Sequence, residues 1–128
     1  MGPKILVVDD DLSLLKTTSQ LLESVGFEVV AVEDGFAALT RLGAESFNLV
    51  ITDLRMPGMM GDELVKCIRK KWPGLPIIMI TGFPKEMEKS GMAEDDVDAL
   101  VLKPYAFKGL ENIIRRLLKA AKAGDVAS

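Results

Sequence analysis

The chain has 128 residues, with no histidine and a single cysteine, Cys67. The lack of histidine excludes Ser-His-Asp and Cys-His triads, histidine-ligated zinc sites and an imidazole base. One cysteine cannot form an internal disulfide or a thiolate metal cage, which is typical of proteins in a reducing compartment, so we expect a cytoplasmic location. Carboxylates and lysines must therefore supply any chemistry.

Long apolar runs and a strong charge of either sign are also missing. The longest apolar runs, Ile5–Val8 and Ile77–Ile80, are far shorter than the roughly 18 residues of a membrane span. No basic and apolar leader opens the chain, so we expect neither export nor a membrane partner. With 16 basic and 19 acidic residues, the net charge of −3 argues against direct binding to nucleic acid.

Short runs rich in β-branched residues alternate along the chain with segments of helical periodicity. The apolar runs are bounded by polar or turn residues, as in the strands of a parallel sheet that is buried on both faces. Their residues are Lys4–Val8, Phe27–Val32, Asn48–Thr52, Pro76–Ile80 and Ala99–Leu102. We expect five strands in one domain.

The predicted helices lie between these strands and after the last one. The first ends at Gly26, the second at Gly43 and the third before Pro73, because glycine and proline terminate helices. A short, weakly amphipathic helix is predicted between Pro84 and Asp95, and the last helix is centred on Leu110–Leu118. Residues 1–122 are assigned to the domain, and 123–128 to a disordered tail or a truncated linker.

Alternating strands and helices with right-handed crossovers predict an α/β, doubly wound, five-stranded parallel sheet with helices on both faces. Small sheets of this type usually have the strand order 2-1-3-4-5, and their ligands bind at the carboxyl ends of the strands. At those ends the sequence places Asp9, Asp10, Asp53, Thr81 and Lys103. We expect these side chains to converge on one crevice.

Three carboxylates in one crevice repel each other by about 4 kcal/mol per close pair at an effective dielectric constant of roughly 20. A hard divalent cation such as Mg²⁺ or Mn²⁺ resolves this repulsion. An aspartate nucleophile, a metal, a lysine and a hydroxyl are what phosphoryl transfer to a carboxylate requires. The pattern therefore predicts a phosphorylatable aspartate beside a magnesium site.

In this pattern the chain resembles the receiver domains of two-component response regulators, whose fold is flavodoxin-like. The residues that carry the resemblance are Asp9-Asp10, the segment from Asp53 through Met56-Pro57 to Gly61, Thr81-Gly82 and Lys103-Pro104. The resemblance extends from Lys4 to about Lys122. Its motifs are weak singly but specific together.

The resemblance implies that Asp53 accepts a phosphoryl group from a histidine kinase or a phosphotransfer domain. It also implies self-catalysed acceptance and slow autodephosphorylation, but no other enzymatic turnover. Asp10 would bind the metal directly, Asp9 would hold a metal-bound water, and the backbone carbonyl of Arg55 would be a further ligand. The remaining implied roles are contacts to the phosphoryl group from Thr81, the Gly82 backbone and Lys103.

Thr81 would also be the switch, altering a surface made by the fourth predicted helix, the fifth strand and the last helix. That surface would contact an output domain or a second copy of the chain. The implied peptide bond between Lys103 and Pro104 is cis.

Two positions depart from the family pattern. Leu100 stands where the family usually has an aromatic switch residue, so we expect the phosphorylation chemistry to survive and its readout to change. Asp96 stands where a turn often has glycine, and aspartate tolerates the left-handed conformation better than most residues.

Two other functions remain open on the sequence alone. Asp9, Asp11 and Ser13 satisfy D-x-D-x-S, the pattern of haloacid-dehalogenase phosphatases, with Asp9 as nucleophile and Asp11 as acid; otherwise Asp11 is a helix N-cap. The short chain and the lack of an acidic pair near the fourth strand disfavour a phosphatase. An inert receiver-like scaffold is the second alternative, although it has no reason to keep all the site residues.

Overall fold

The computed structural model describes residues 2–82, Lys85 and 96–127, with side chains of the last helix described as far as Ala121. Its sheet has five parallel strands in the order β2-β1-β3-β4-β5. This confirms the predicted fold. The strands are β1 (Lys4–Val8), β2 (Glu28–Val32), β3 (Leu49–Asp53), β4 (Ile77–Thr81) and β5 (Ala99–Leu102).

Four helices lie within the described residues, and none of them is both long and apolar enough to cross a membrane. The helix predicted between Pro84 and Asp95 lies outside the described residues apart from Lys85. The last helix continues to Ala127, and its backbone includes residues 123–127, which the sequence assigned to a disordered tail or a truncated linker. The helices are α1 (Leu12–Ser24), α2 (Gly35–Ala44), α3 (Gly61–Lys71) and α4 (Phe107–Ala127).

Each face of the sheet carries its own hydrophobic core. Alternate residues of the strands point to opposite faces, so Leu6 and Met79 lie in one core, while Ile5 and Ile78 lie in the other. The first core is closed by α2 and α3, and the second by α1 and α4. The two layers fix the sheet from both sides and leave the carboxyl ends of the strands open.

The two ends of α1 follow the sequence prediction. The Asp11 carboxylate accepts a hydrogen bond from the Leu14 N–H at 3.1 Å, as an N-cap does. At the other end Gly26 has φ 103° and its N–H donates to the Glu23 carbonyl, while the N–H of Phe27 donates to Leu22. This is a Schellman motif, which needs a residue that adopts positive φ.

The predicted end of α2 at Gly43 was wrong by two residues. Gly43 lies inside the helix, and Glu45 is its C-cap, with its N–H bonded to the Arg41 carbonyl. The Glu45 carboxylate also pairs with the side chains of Lys4 and Arg41. These side-chain contacts, which helix-ending propensity does not encode, fix where the chain turns away.

Asp96 needs no left-handed backbone, since no described non-glycine residue has positive φ. Its carbonyl instead accepts a hydrogen bond from Arg69 Nε at 3.2 Å. The same guanidinium donates to the Leu75 carbonyl and to Asp98, both at 2.7 Å. Arg69 therefore joins the last turn of α3 to the residues that lead into β4 and β5.

Candidate functional site

The carboxyl ends of the four neighbouring strands bring the predicted site residues to one edge of the sheet. Asp9 directly follows β1, Asp53 is the last residue of β3, Thr81 the last of β4, and Lys103 directly follows β5. Parallel strands all end at the same edge, so strand order alone places these residues side by side.

The three acidic side chains form a cluster. One carboxylate oxygen from each of Asp9, Asp10 and Asp53 lies within 4.8 Å of the other two. Asp9 and Asp53 are each only 8% exposed, whereas Asp10 is open to solvent. Asp9 is oriented by the N–H of Asp11, which donates to its Oδ1 at 2.9 Å.

Lys103 supplies a positive charge to this cluster. Its Nζ lies 2.8 Å from Asp53 Oδ2 and 3.9 Å from Asp9 Oδ2. Partial burial of Lys103 disfavours the ammonium form, but the hydrogen bond to Asp53 and the charges of Asp53 and Asp9 outweigh that effect and raise its pKa. Lys103 is therefore a permanent cation held on the Asp53 carboxylate.

Asp9 has an unusual titration. Burial raises its pKa to about 6, and the nearby charges of Asp53 and Asp10 act in the same direction, while the Asp11 N–H and Lys103 oppose them. The charge of one lysine therefore does not balance the charges of three carboxylates. Without a further cation, Asp9 keeps its proton to a higher pH than an ordinary aspartate.

Oxygen donors in this number and closeness fit a hard divalent cation. Mg²⁺ and Mn²⁺ prefer carboxylates and backbone carbonyls, and usually keep several water molecules. The exposed position of Asp10 leaves room for those waters. The residues present therefore suit the expected metal.

The other predicted residues lie around the cluster. Thr81 is buried, and its carbonyl accepts the N–H of Lys103 at 2.9 Å. Gly82 lies beside the Lys103 side chain, because a Cβ built on it would be 3.8 Å from Lys103 Cβ. Arg55 is exposed in the loop after β3. The cis peptide bond between Lys103 and Pro104 is present as expected.

Leu100 stands at the position that the resemblance assigns to a switch residue. It lies in the middle of β5, paired with Met79, and is a half-buried member of the core under α2 and α3.

Gly61 packs directly against the backbone of Asp53, which its predicted place in a turn did not indicate. Its N–H donates to the Leu54 carbonyl at 2.8 Å, and a Cβ built on it would lie 2.2 Å from the Asp53 carbonyl oxygen. Only a glycine lets the start of α3 pack against the end of β3 this closely. The sequence motif marked the position, but the reason for it depends on packing.

The arrangement does not favour the phosphatase alternative. The Asp11 carboxylate, which would be the acid, is exposed and caps α1. It is also not part of the cluster formed by Asp9, Asp10 and Asp53.

Comparison with known families shows which family the chain matches. Residues 5–115 match the family model described as the response regulator receiver domain. A response regulator protein, FleR, of Pseudomonas aeruginosa is 38% identical over 117 residues, which are 91% of this chain and 24% of that protein. The sensor protein GacS of Pseudomonas syringae is 35% identical over 118 residues, 88% of this chain and 13% of the relative. The chain therefore spans only a minor part of these relatives.

Solved structures give the same result. A CheY-like response regulator receiver domain protein from Methanospirillum hungatei superposes with a TM-score of 0.90 at 33% identity, covering 97% of this chain and 99% of the other. The response regulator TrrA of Thermotoga maritima, solved in complex with Mg²⁺-BeF, has a TM-score of 0.82 at 32% identity and covers 91% and 99% of the two chains.

Proposed function

Because this chain belongs to the response regulator receiver domain family of two-component signalling, we propose that Asp53 is the residue that accepts a phosphoryl group. The observation that carries the proposal is the placement of the Asp53 carboxylate between Lys103 Nζ at 2.8 Å and the acids Asp9 and Asp10. The donor would be the phosphohistidine of a histidine kinase or a phosphotransfer domain, since this chain has no histidine.

The reaction is a displacement at phosphorus. An Asp53 oxygen forms a bond to the phosphorus atom while the P–N bond of the donor breaks, and the electron pair of that bond stays on the donor's imidazole nitrogen. Lys103, already on Asp53, is placed to pair with a phosphoryl oxygen. Thr81 and the backbone of Gly82 are the remaining candidate hydrogen-bond donors to that group.

Asp9, Asp10, Asp53 and the Arg55 carbonyl are the groups that would hold Mg²⁺ or Mn²⁺. The metal, when bound, supplies positive charge that neutralises the carboxylates and the incoming phosphoryl oxygens. The cleft beside Asp10, about 510 Å³ and lined also by Phe36 and Pro57, leaves this side of the site open. An open site suits a donor carried by another protein.

We expect the chain to accept the phosphoryl group, lose it slowly by hydrolysis and catalyse no other turnover. The output surface that we propose includes β5 and α4, and its partner is an output domain or a second copy of the chain. The relatives are much longer than this chain, so any activity of a whole protein that contains this domain is part of the proposal. A cytoplasmic location is also part of the proposal.

The test is covalent labelling with a small radioactive phosphoryl donor, phosphoramidate, in the presence of Mg²⁺. The wild-type chain should become labelled and Asp53→Asn should not. Asp11→Asn, which keeps a side chain able to cap α1, should be labelled like the wild type. Label that survives in Asp53→Asn but is lost in Asp11→Asn would establish the phosphatase alternative, and a wild-type chain that takes no label would favour an inert scaffold.

A further inference from the structure

A side-chain hydrogen bond joins the loop that carries Lys103 to helix α1. The hydroxyl of Tyr105 lies 3.1 Å from Thr18 Oγ1, at hydrogen-bond distance, and Thr18 belongs to α1. Tyr105 is the only tyrosine of the chain. The contact joins residues that are far apart in sequence, so no local pattern indicates it.

The contact between the two hydroxyls is partly buried. Thr18 is 5% exposed and lies on the buried face of α1 with Leu15 and Leu22, and Tyr105 is half-buried. A buried hydroxyl that loses its partner costs more than an exposed one, because water does not replace the bond. The hydrogen bond is therefore a specific constraint on where the loop lies against α1.

This constraint connects the two sides of the site. Helix α1 starts immediately after the acidic pair, and its N-cap Asp11 donates its own N–H to Asp9. Tyr105 follows Lys103 by two residues, before α4 begins. A bond between α1 and Tyr105 thus sets the position of the lysine relative to the carboxylates on which it acts.

We propose that Tyr105, held by Thr18, is a positioning residue for Lys103. The N–H of Lys103 bonds to the Thr81 carbonyl, and the rings of Tyr105 and Phe107 pack against the core under α1 and α4, so the Tyr105 hydroxyl bond adds direction to a loop that is already in place. The proposal rests on the proposed function, in which Lys103 pairs with the transferred phosphoryl group.

The experiment compares Tyr105→Phe and Thr18→Val, which each remove one hydroxyl and keep the shape of the side chain, and the double variant. The matched control is Thr17→Val, the same change at the neighbouring exposed residue of α1. The first-order rate of labelling of Asp53 by phosphoramidate is measured below the melting temperature, so that every variant is folded. Circular dichroism and urea unfolding check the folded fraction.

Each single variant should slow labelling by about three- to tenfold, the effect expected of one hydrogen bond. The double variant should be no slower than the singles, because both changes remove the same bond. In the background Lys103→Ala, Tyr105→Phe should have no further effect on the rate. Unchanged rates in both single variants, or a loss that persists without Lys103, would overturn the proposal.

A second measurement keeps the inference separate from the proposed function. In metal-free protein, the NMR signal of the Lys103 ammonium group reports its contact with Asp53 without any phosphorylation. That signal should move in Tyr105→Phe and Thr18→Val but not in Thr17→Val; a signal that stays in place in all three excludes a positioning role. A wild-type chain that takes no label but shows these shifts would refute the proposed function alone.

Discussion

At the scale of single residues, the site is defined by its charge imbalance. Three carboxylates face one ammonium, and the most strongly affected carboxyl is Asp9, with its pKa raised to about 6 mainly by burial. The proton that Asp9 holds competes with any cation that binds there, because a protonated carboxyl is a poor metal ligand.

We therefore predict that Mg²⁺ binding depends on pH through Asp9. The affinity for Mg²⁺ should be close to its maximum above pH 7 and about tenfold weaker at pH 5, since at pH 5 a group of pKa about 6 is mostly protonated. Isothermal titration calorimetry at the two pH values measures this change.

The control for that measurement is Asp9→Asn, which has no proton to lose at this position. It should bind Mg²⁺ more weakly than the wild type and show a much smaller change between the two pH values. An equally steep change in Asp9→Asn would show that another group is responsible.

The closeness of the acidic residues and Lys103 could be predicted from the sequence, because it needs little tertiary information. Asp9, Asp53 and Lys103 each stand at or next to the end of an apolar run, and parallel strands bring such ends together. The contact between Thr18 and Tyr105 could not be predicted, because neither residue type nor spacing specifies it.

At the scale of elements, the start of α3 packs closely against the end of β3, the strand that carries Asp53. A Cβ at Gly61 would overlap the backbone of Asp53 and Leu54, whereas a Cβ at Gly43 in α2 would meet nothing within 4 Å. The two glycines therefore respond to the same substitution in opposite ways.

Gly61→Ala should destabilise the chain by about 2 kcal/mol or more and slow the labelling of Asp53, since backbone must shift to relieve the overlap. Gly43→Ala should stabilise it by about 0.5–1 kcal/mol, as alanine does inside an exposed helix. Urea unfolding measures both values. Equal effects of the two changes would mean that the packing of α3 on β3 is looser than described.

Strand β5 carries Leu100, where the resemblance leads us to expect an aromatic residue. Leu100 is packed in the core under α2 and α3. Its side chain has no polar group that could hydrogen-bond to Thr81. We predict that the methyl signals of Leu100 move little when a beryllofluoride complex forms, while signals around Thr81 and Lys103 move strongly. Methyl NMR with and without beryllofluoride tests this, and a large inward rotation of Leu100 would contradict it.

Element boundaries were predicted less well than element types. The runs of β-branched residues predicted the five strands to within one residue at either end, because the strands supply apolar side chains to the cores on both faces of the sheet. The end of α2 and the conformation at Asp96 were missed, since they depend on the charged contacts of Glu45 and Arg69.

At the scale of the whole molecule, the same acids that would bind the metal reduce the stability of the metal-free fold. The pKa of Asp9 is higher in the folded state than its ordinary value of 3.8. The folded chain therefore binds more protons at this group than the unfolded chain, and stability falls as the pH rises from about 4 through 6.

We predict that metal-free wild-type protein loses about 1 kcal/mol of unfolding free energy through Asp9 between pH 5 and pH 7. Glu45 and Glu111, whose pKa values are lowered by their basic neighbours, act at lower pH. Urea unfolding in EDTA measures the difference, and Asp9→Asn should lack it. With saturating Mg²⁺ the difference through Asp9 should nearly disappear, because the bound metal keeps Asp9 ionised in the folded state at both pH values; a wild type that is less stable at pH 5 even in EDTA would contradict the prediction.

The central proposal for this chain is a magnesium-dependent phosphorylation site at Asp53, formed by the carboxyl ends of the strands. Its most direct test is a crystal structure of the chain grown with Mg²⁺ and beryllofluoride. We predict beryllofluoride on the Asp53 carboxylate, Lys103 against one of its fluorines and Mg²⁺ bound by Asp10 and Asp53. A bare Asp53 with Asp10 turned away from it would contradict the claim.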